Sequence, residues 1–374
     1  MFIRIIAYLL YQIKWIMAFL EFKNVRVAGM SAGVPSQIAS NLHPSEMDNV
    51  STEYAPEDFV KTTGVEERRV SDTLCASDLG VAAAEKLISD LGWSKDEILA
   101  IVFVSQSADY ILPATSCIIQ DRLGLSKECY AIDGTLGCSG WVYGLTQVAG
   151  ILSAGNIKKA LLFVGEGRKR VEGKRDPLFG SGTAVTALEY AEGAEGLKFH
   201  LATDGSGYDA IITPDGGSRN RISIKSFESY DFEGKPYHRL QSRMKGMDVF
   251  SFGISQAPKS VKKLAENYGF DYQQADYFVF HQANMKMNNM IAKKLKLDAA
   301  KVPSSMRYYG NTNGASIPIT IVTQLKERSK KVTKYICCGF GVGLSWGTVA
   351  FTTDENFIIS DLVEVDELLE SSWV

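Results

Sequence analysis

A chain of 374 residues is long enough for two domains of ordinary size or one large compact one, with ample length for a buried core. Its 45% hydrophobic and 22% charged residues, with 33 Gly and 10 Pro, exclude disordered, fibrous and low-complexity classes. The 40 Lys and Arg against 43 Asp and Glu give a net charge of −3, which lacks the basic excess of a nucleic-acid-binding protein.

Residues 1–20 are mostly apolar, but Arg4 and Lys14 interrupt them, so they fall short of the roughly 20 apolar residues a membrane span needs. A small-x-small cleavage site is missing as well, which disfavours a secretory signal. Met17, just ahead of a β-like run from Phe22 to Ala28, reads as the natural start, with residues 1–21 an extension. Membrane contact through residues 1–20 as a peripheral helix is the remaining reading.

From Val25 to Phe351, short β-branched runs alternate with helical patterns, and no Pro- or Ser-rich linker intervenes. The pattern predicts a helix over Ala76–Leu91, strands at Ile98–Ser105 and Glu128–Ile132, a helix over Ser139–Ala154, and strands at Ala160–Val164 and Ala184–Tyr190. After a Gly-, Asp- and Ser-rich stretch from Gly205 to Pro236, expected to lie between two halves, come a helix over Val261–Tyr268, a strand at Tyr277–Phe280 and a helix over Met285–Leu295. A helix over Ala315–Ser329 and strands at Tyr335–Gly339 and Leu344–Thr352 complete the pattern. Such alternation implies an α/β layered fold. We divide it into an amino-terminal half, 22–195, and a carboxy-terminal half, 196–353, each with a strand that ends in a polar residue before a helix, at Cys138 and at His281. This order hints at an internal duplication. The acidic tail 354–374 reads as a solvated appendage or as a short helix packed on the body.

The cysteines, at 75, 117, 129, 138, 337 and 338, have neither the density nor the spacing of a disulfide scaffold, and a reducing, cytoplasmic compartment is expected. His43, His200, His238 and His281 form no zinc pattern, so no metal is expected. Cys138 lies in the glycine turn Gly134-Thr-Leu-Gly-Cys-Ser-Gly140, placed at the start of a long helix. There, unpaired N–H groups and the positive end of the helix dipole favour thiolate. The bland reading is a buried structural cysteine, the commoner fate of a single Cys. His281 follows an apolar run and precedes Gln282-Ala283-Asn284, at a strand end where ligand sites of such folds gather. Asn311, in Tyr309-Gly310-Asn311-Thr312-Asn313-Gly314, by itself marks a turn and a helix cap. The run Gly339-Phe340-Gly341-Val342-Gly343 precedes a strand where dinucleotide binding needs a helix, but its backbone N–H groups suit an oxyanion.

Taken together, the Cys138 turn, His281-Gln-Ala-Asn284, Gly310-Asn311-Thr312 and Gly339 to Gly347 resemble the 3-oxoacyl-(acyl-carrier-protein) synthase III family of the thiolase fold. Thr63 to Arg69 and Leu112-Pro113-Ala114-Thr115 fit the same family. The resemblance spans about Val25 to Thr353. It implies a duplicated αβαβα layered fold, a homodimer, and a decarboxylative Claisen condensation of a Cys138-bound acyl group with malonyl-acyl carrier protein. Cys138, His281 and Asn311 would be catalytic, and the backbone N–H groups of Cys138 and Val342 would form the oxyanion hole, without a cofactor. Leu112 would line the acyl pocket, and Lys286, Lys293 and Lys294 would dock the acyl carrier protein.

The chain also departs from the family. Asp58 stands where well-known members stack an aromatic residue on the coenzyme A adenine, and Thr62 falls at a basic position, so of the two candidate acyl thioester donors, acyl-coenzyme A is disfavoured and an acyl-carrier protein could replace it. Val342 replaces a glycine and Ser181 an aspartate. A thiolase-fold acyltransferase or a polyketide-type synthase would use the same three residues on another acceptor. A cysteine hydrolase elbow would need glycine where Leu136 stands.

Overall fold

The computed structural model describes residues 17–44, 55–167, 176–330 and 332–366. The expectations for residues 1–16 and for the end of the tail beyond 366 lie outside the described residues. In chain order the principal elements begin with β1 (Ala18–Phe22), β2 (Val25–Pro35), α1 (Pro56–Thr63), α2 (Ala76–Leu91), β3 (Ile98–Val104), α3 (Thr115–Arg122) and β4 (Tyr130–Gly134). They continue with α4 (Gly140–Ala154), β5 (Lys159–Glu166), β6 (Gly182–Tyr190), β7 (Leu197–Thr203), α5 (Gly246–Tyr268), β8 (Tyr277–Phe280) and α6 (Met285–Leu295). They close with α7 (Ser316–Leu325), β9 (Lys334–Gly341), β10 (Ser345–Thr352), β11 (Ile358–Ile359) and β12 (Val363–Val365).

Two mixed sheets organise these elements. The first runs β11-β2-β6-β5-β3-β4, and the second runs β1-β7-β10-β9-β8. Within the first, β3 is parallel to β4 and β5, while β5 and β2 are each antiparallel to β6. The second repeats that order, with β8 parallel to β9 and β10 antiparallel to β9 and β7. Helices α4 and α7 lie between the sheets. Their Trp141, Val142, Leu145, Ile317, Ile319 and Ile321 share one core with Val104 and Leu162 of one sheet and Val279 and Val349 of the other. All ten residues of α7 except Thr323 and Gln324 are buried, as expected of a helix covered on every side. Outside, α2 and α3 cover the first sheet through Leu87 and Ile119, and α5 and α6 cover the second through Val261 and Ile291. The result is the five-layer αβαβα arrangement.

Strand order corrects the expected internal correspondence. Because β8 occupies the place of β3, His281 answers to Ser105, and the counterpart of the Cys138 turn before α4 is the Asn311 turn before α7. Strand-to-helix turns recur throughout the chain, so a turn alone does not fix which pair is equivalent. The stretch from Gly205 onward likewise falls inside the second half, between β7 and α5, and forms short ladders at Ile211–Ile212 with Arg243–Met244 and at Tyr230–Phe232 with Lys235–Tyr237.

Helix α5 starts at Gly246, well before the expected Val261, and runs through both Gly253 and Pro258. A Cβ on Gly253 would come within 2.7 Å of the Met287 Sδ and 2.9 Å of the Phe340 ring. The tail is neither a free appendage nor a helix over its described part. Both β11 and β12 pair in parallel with β2, and Arg26–Asp354, Arg69–Glu364 and Lys326–Asp361 ion pairs hold it down. It covers an edge that would otherwise offer unpaired backbone groups to another chain.

Candidate active site

Cys138 lies in the turn between β4 and α4, one residue ahead of the Ser139 cap and so at the helix start, as the glycine turn led us to expect. The Gly140 N–H donates to the Gly137 carbonyl at 2.7 Å and closes the turn under the sheet. The thiol is 8% exposed, and its Sγ donates to Asn313 Oδ1 at 3.8 Å. Gly341, at the end of β9, faces it so closely that a Cβ there would sit 2.5 Å from the Cys138 Cβ and 2.7 Å from its Sγ. Val342 follows at once as the first residue of a tight helical turn, where a backbone N–H has no partner within the turn. The glycine run thus brings Gly341 against the sulfur with Val342 the next residue along the chain, and Ser139 Oγ joins Ser345 Oγ across the same junction at 2.6 Å.

His281 follows directly on β8 and is buried. Its backbone N–H donates to the Cys338 carbonyl at 2.9 Å, and its Nδ1 lies 2.8 Å from Ser316 Oγ, which also accepts the Gln282 N–H at 3.2 Å. The Phe340 ring meets the imidazole edge-on at 5.6 Å between centroids. Burial pulls the imidazole down to about 3, with a hydrogen bond to the Asn313 backbone working weakly against it. At neutral pH the ring is therefore uncharged and offers a single N–H donor.

Asn311 is 5% exposed and held by its backbone against the loop before β6. Its N–H donates to the Leu178 carbonyl at 2.9 Å, and its carbonyl accepts the Gly180 N–H at 3.1 Å. Its side-chain Oδ1 accepts the Asn313 N–H at 2.9 Å, which leaves the amide NH₂ as the end able to donate to a ligand. A Cβ on Gly314 would come 2.9 Å from the Gly137 carbonyl oxygen, so glycine lets this turn cross over the nucleophile turn.

The structure therefore brings Cys138, His281, Asn311 and Val342 together. Leu112 does not join them within its own chain, since it projects 83% exposed from the loop after β3, beside Ile111 at 99%. Lys286, in the first turn of α6, lies over the Phe250 ring, whereas Lys293 and Lys294 fall in the last turn, and Lys294 Nζ donates to the Ile254 carbonyl at 2.9 Å. The three lysines thus occupy both ends of α6. Asp58 and Thr62 are exposed on α1. Of the other cysteines, only Cys337 and Cys338 are buried. Burial pushes Cys129 up to about 11, Cys338 up to about 12 and Cys337 well up, while Cys75 caps α2 and Cys117 is exposed on α3. Sequence reasoning missed Asn313, Ser316 and Phe340. Ser316 carried a signal as a hydroxyl residue at a helix start, and Asn313 as part of an Asn-Gly turn, but only the convergence of separate loops gives either a role.

The five layers, with this cluster of residues near the ends of β4, β8 and β9, are the arrangement of an enzyme of the thiolase fold. Residues 132–205 match the family model of 3-oxoacyl-[acyl-carrier-protein] synthase III, and residues 264–353 match its carboxy-terminal model. Beta-ketoacyl-[acyl-carrier-protein] synthase III of Clostridium acetobutylicum is 31% identical over 331 residues, covering 87% of this chain and 98% of its own. The Clostridioides difficile enzyme of the same name is 30% identical over 86% of this chain and 96% of its own. The crystal structure of a 3-oxoacyl-(acyl-carrier protein) synthase from Burkholderia xenovorans superposes with a TM-score of 0.83 at 34% identity, covering 93% of this chain and 99% of that one. The chain belongs to the 3-oxoacyl-(acyl-carrier-protein) synthase III family.

Proposed function

We propose that Cys138 accepts an acyl group from a thioester, releasing the donor thiol, and that malonyl-acyl carrier protein then loses CO₂ while its carbanion attacks the acyl-cysteine carbonyl. The product is a 3-oxoacyl-acyl carrier protein, and the cysteine sulfur is the leaving group. The observation that carries this assignment is a buried thiol linked through Asn313 to a neutral imidazole and to an amide whose NH₂ is left to donate. Decarboxylation builds negative charge on the malonyl thioester oxygen, and two preorganised neutral donors, His281 and Asn311, are suited to hold it. A charged imidazole is not needed. The N–H groups of Cys138 and Val342 serve the oxyanion of the acyl-transfer step.

Acyl carrier protein is the acidic partner we assign to Lys286 and its surroundings at the amino-terminal end of α6. A second copy of the chain is supported by strand β4, which ends the first sheet with Tyr130 and Ile132 exposed, and by the apolar loop Tyr110-Ile111-Leu112. Through that loop, Leu112 would reach the acyl pocket of the partner. None of the six cysteines is joined in a disulfide, which is in keeping with the reducing, cytoplasmic setting we assign to the protein.

Intact-protein mass spectrometry after incubation with acyl-coenzyme A and acyl-carrier-protein thioesters, followed by malonyl-carrier protein, tests the reaction. A mass gain on Cys138 that malonyl-carrier protein clears with a 3-oxoacyl product is the expected result. Acylation that malonyl-carrier protein leaves in place would refute the condensation, and stoichiometric labelling of a Cys138→Ala variant would refute the nucleophile.

A further inference from the structure

One residue touches all three proposed catalytic groups. The backbone N–H of Asn313 donates to Asn311 Oδ1 at 2.9 Å, its backbone bonds the His281 ring, and its Oδ1 accepts from Cys138 Sγ at 3.8 Å. The backbone duties alone do not call for asparagine. At φ 49 the residue sits in the left-handed region, where glycine is the least strained choice and asparagine is among the few side chains tolerated. The side chain is 4% exposed, and a buried amide is costly unless its polar atoms are paired. Its pairing is with the sulfur that would react.

We propose that Asn313 is a further catalytic residue, whose side-chain carbonyl holds Cys138 as a directed thiol in the resting enzyme. This deepens the proposed function and rests on Cys138 being the nucleophile. A hydrogen bond to the neutral form of an acid favours that form, so the Asn313 carbonyl opposes early ionisation of the sulfur and fixes its position before a thioester arrives. With the carbonyl removed, the thiol ionises at lower pH and its Sγ is less well placed. A carboxylate in its place would hold the proton more firmly, by charge.

The test is the pH dependence of Cys138 alkylation by iodoacetamide in the full-length protein, read on the Cys138 peptide by mass spectrometry. Asn313→Gly keeps the left-handed backbone and both backbone contacts while deleting the amide, and Asn313→Asp keeps the shape and adds charge. The expected result is a midpoint lowered by on the order of half a pH unit in Asn313→Gly, the size a weak S–H···O bond supports. Asn313→Asp should raise it by about one unit or more. A purely structural side chain would leave the midpoint where it was, so an unchanged or raised midpoint in Asn313→Gly overturns the proposal, as does an unshifted one in Asn313→Asp. Cys138→Ala, treated in parallel with an acyl thioester, separates the two readings. Labelling that survives in Cys138→Ala indicts the nucleophile, whereas labelling confined to Cys138 with unmoved midpoints indicts Asn313 alone.

Discussion

Replacing Gly341 with alanine probes whether β9 and the nucleophile turn are as closely interlocked as the packing implies. The backbone there is extended, at φ 164, so alanine meets no conformational strain of its own. The obstacle is the Cys138 side chain, whose Cβ and Sγ lie 2.5 Å and 2.7 Å from where the new methyl would go. Real carbon atoms do not approach so closely, so either the thiol or the end of β9 must move. Overpacking of this kind costs about 1–3 kcal/mol, which for a chain of this length lowers the melting temperature by about 1–4 °C. A sulfur displaced by about an ångström should slow acylation by on the order of a hundredfold, because the reacting atoms lose their near-attack geometry. The assay pairs a thermal melt with a time course of Cys138 acylation by mass spectrometry. A Cys138→Gly background removes both clashing atoms, so the stability cost of Gly341→Ala should fall there by about 1–2 kcal/mol, as for residues in direct contact. An equal cost in both backgrounds would show that the Cys138 contact is not what demands glycine at 341.

The buried imidazole makes stability depend on acid. His281 is held near 3 in the folded state against an ordinary 6.5, so below pH 6.5 the unfolded chain takes up a proton that the folded one refuses. Its contribution to stability is thus lost as pH falls from about 6.5 towards 3, amounting to about 2 kcal/mol at pH 5, and denaturant titrations of His281→Gln should show a flatter acid limb than the parent. His200, pulled down to about 4 by burial and then by Lys263, adds in the same direction. His281→Ala and Asn311→Ala should each retain Cys138 acylation while CO₂ release from malonyl-carrier protein falls by about 10²–10³-fold; condensation at the parent rate would remove them from the enolate. Truncation after Thr353 should lower the melting temperature and promote aggregation, measured by light scattering, because it uncovers the β2 edge and deletes backbone bonds such as Ser36 N–H to the Val365 carbonyl at 2.9 Å. Ile111→Asp should weaken self-association in analytical ultracentrifugation while leaving the melt of the monomer near that of the parent.

Much of this protein is written locally. The strand Tyr277–Phe280 and the helices Ala76–Leu91 and Met285–Leu295 match their expected bounds residue for residue, because their limits are set by neighbours in the chain. Gly92 ends its helix in the left-handed conformation, and the Asn284 side chain caps the start of its own by accepting the Met287 N–H. The turns that carry Cys138 and His281 were legible for the same reason, since each comes after a strand, whereas Asn311 follows the short helix Met306–Tyr309 and stood out only through the order of motifs that resembles the family. Contacts between distant segments were not legible. The single β-like run from Phe22 to Ala28 splits at Asn24, whose φ of 61 turns the chain, so that β1 joins the second sheet through β7 while β2 joins the first. An edge strand such as β1, or the tail on β2, gains its hydrogen bonds only from a partner remote in sequence, and no period in its own residues names that partner. Asn313 is the sharpest instance. In the chain it is one more polar residue of a turn, and only the stacking of two sheets around α4 and α7 carries it to the sulfur of Cys138.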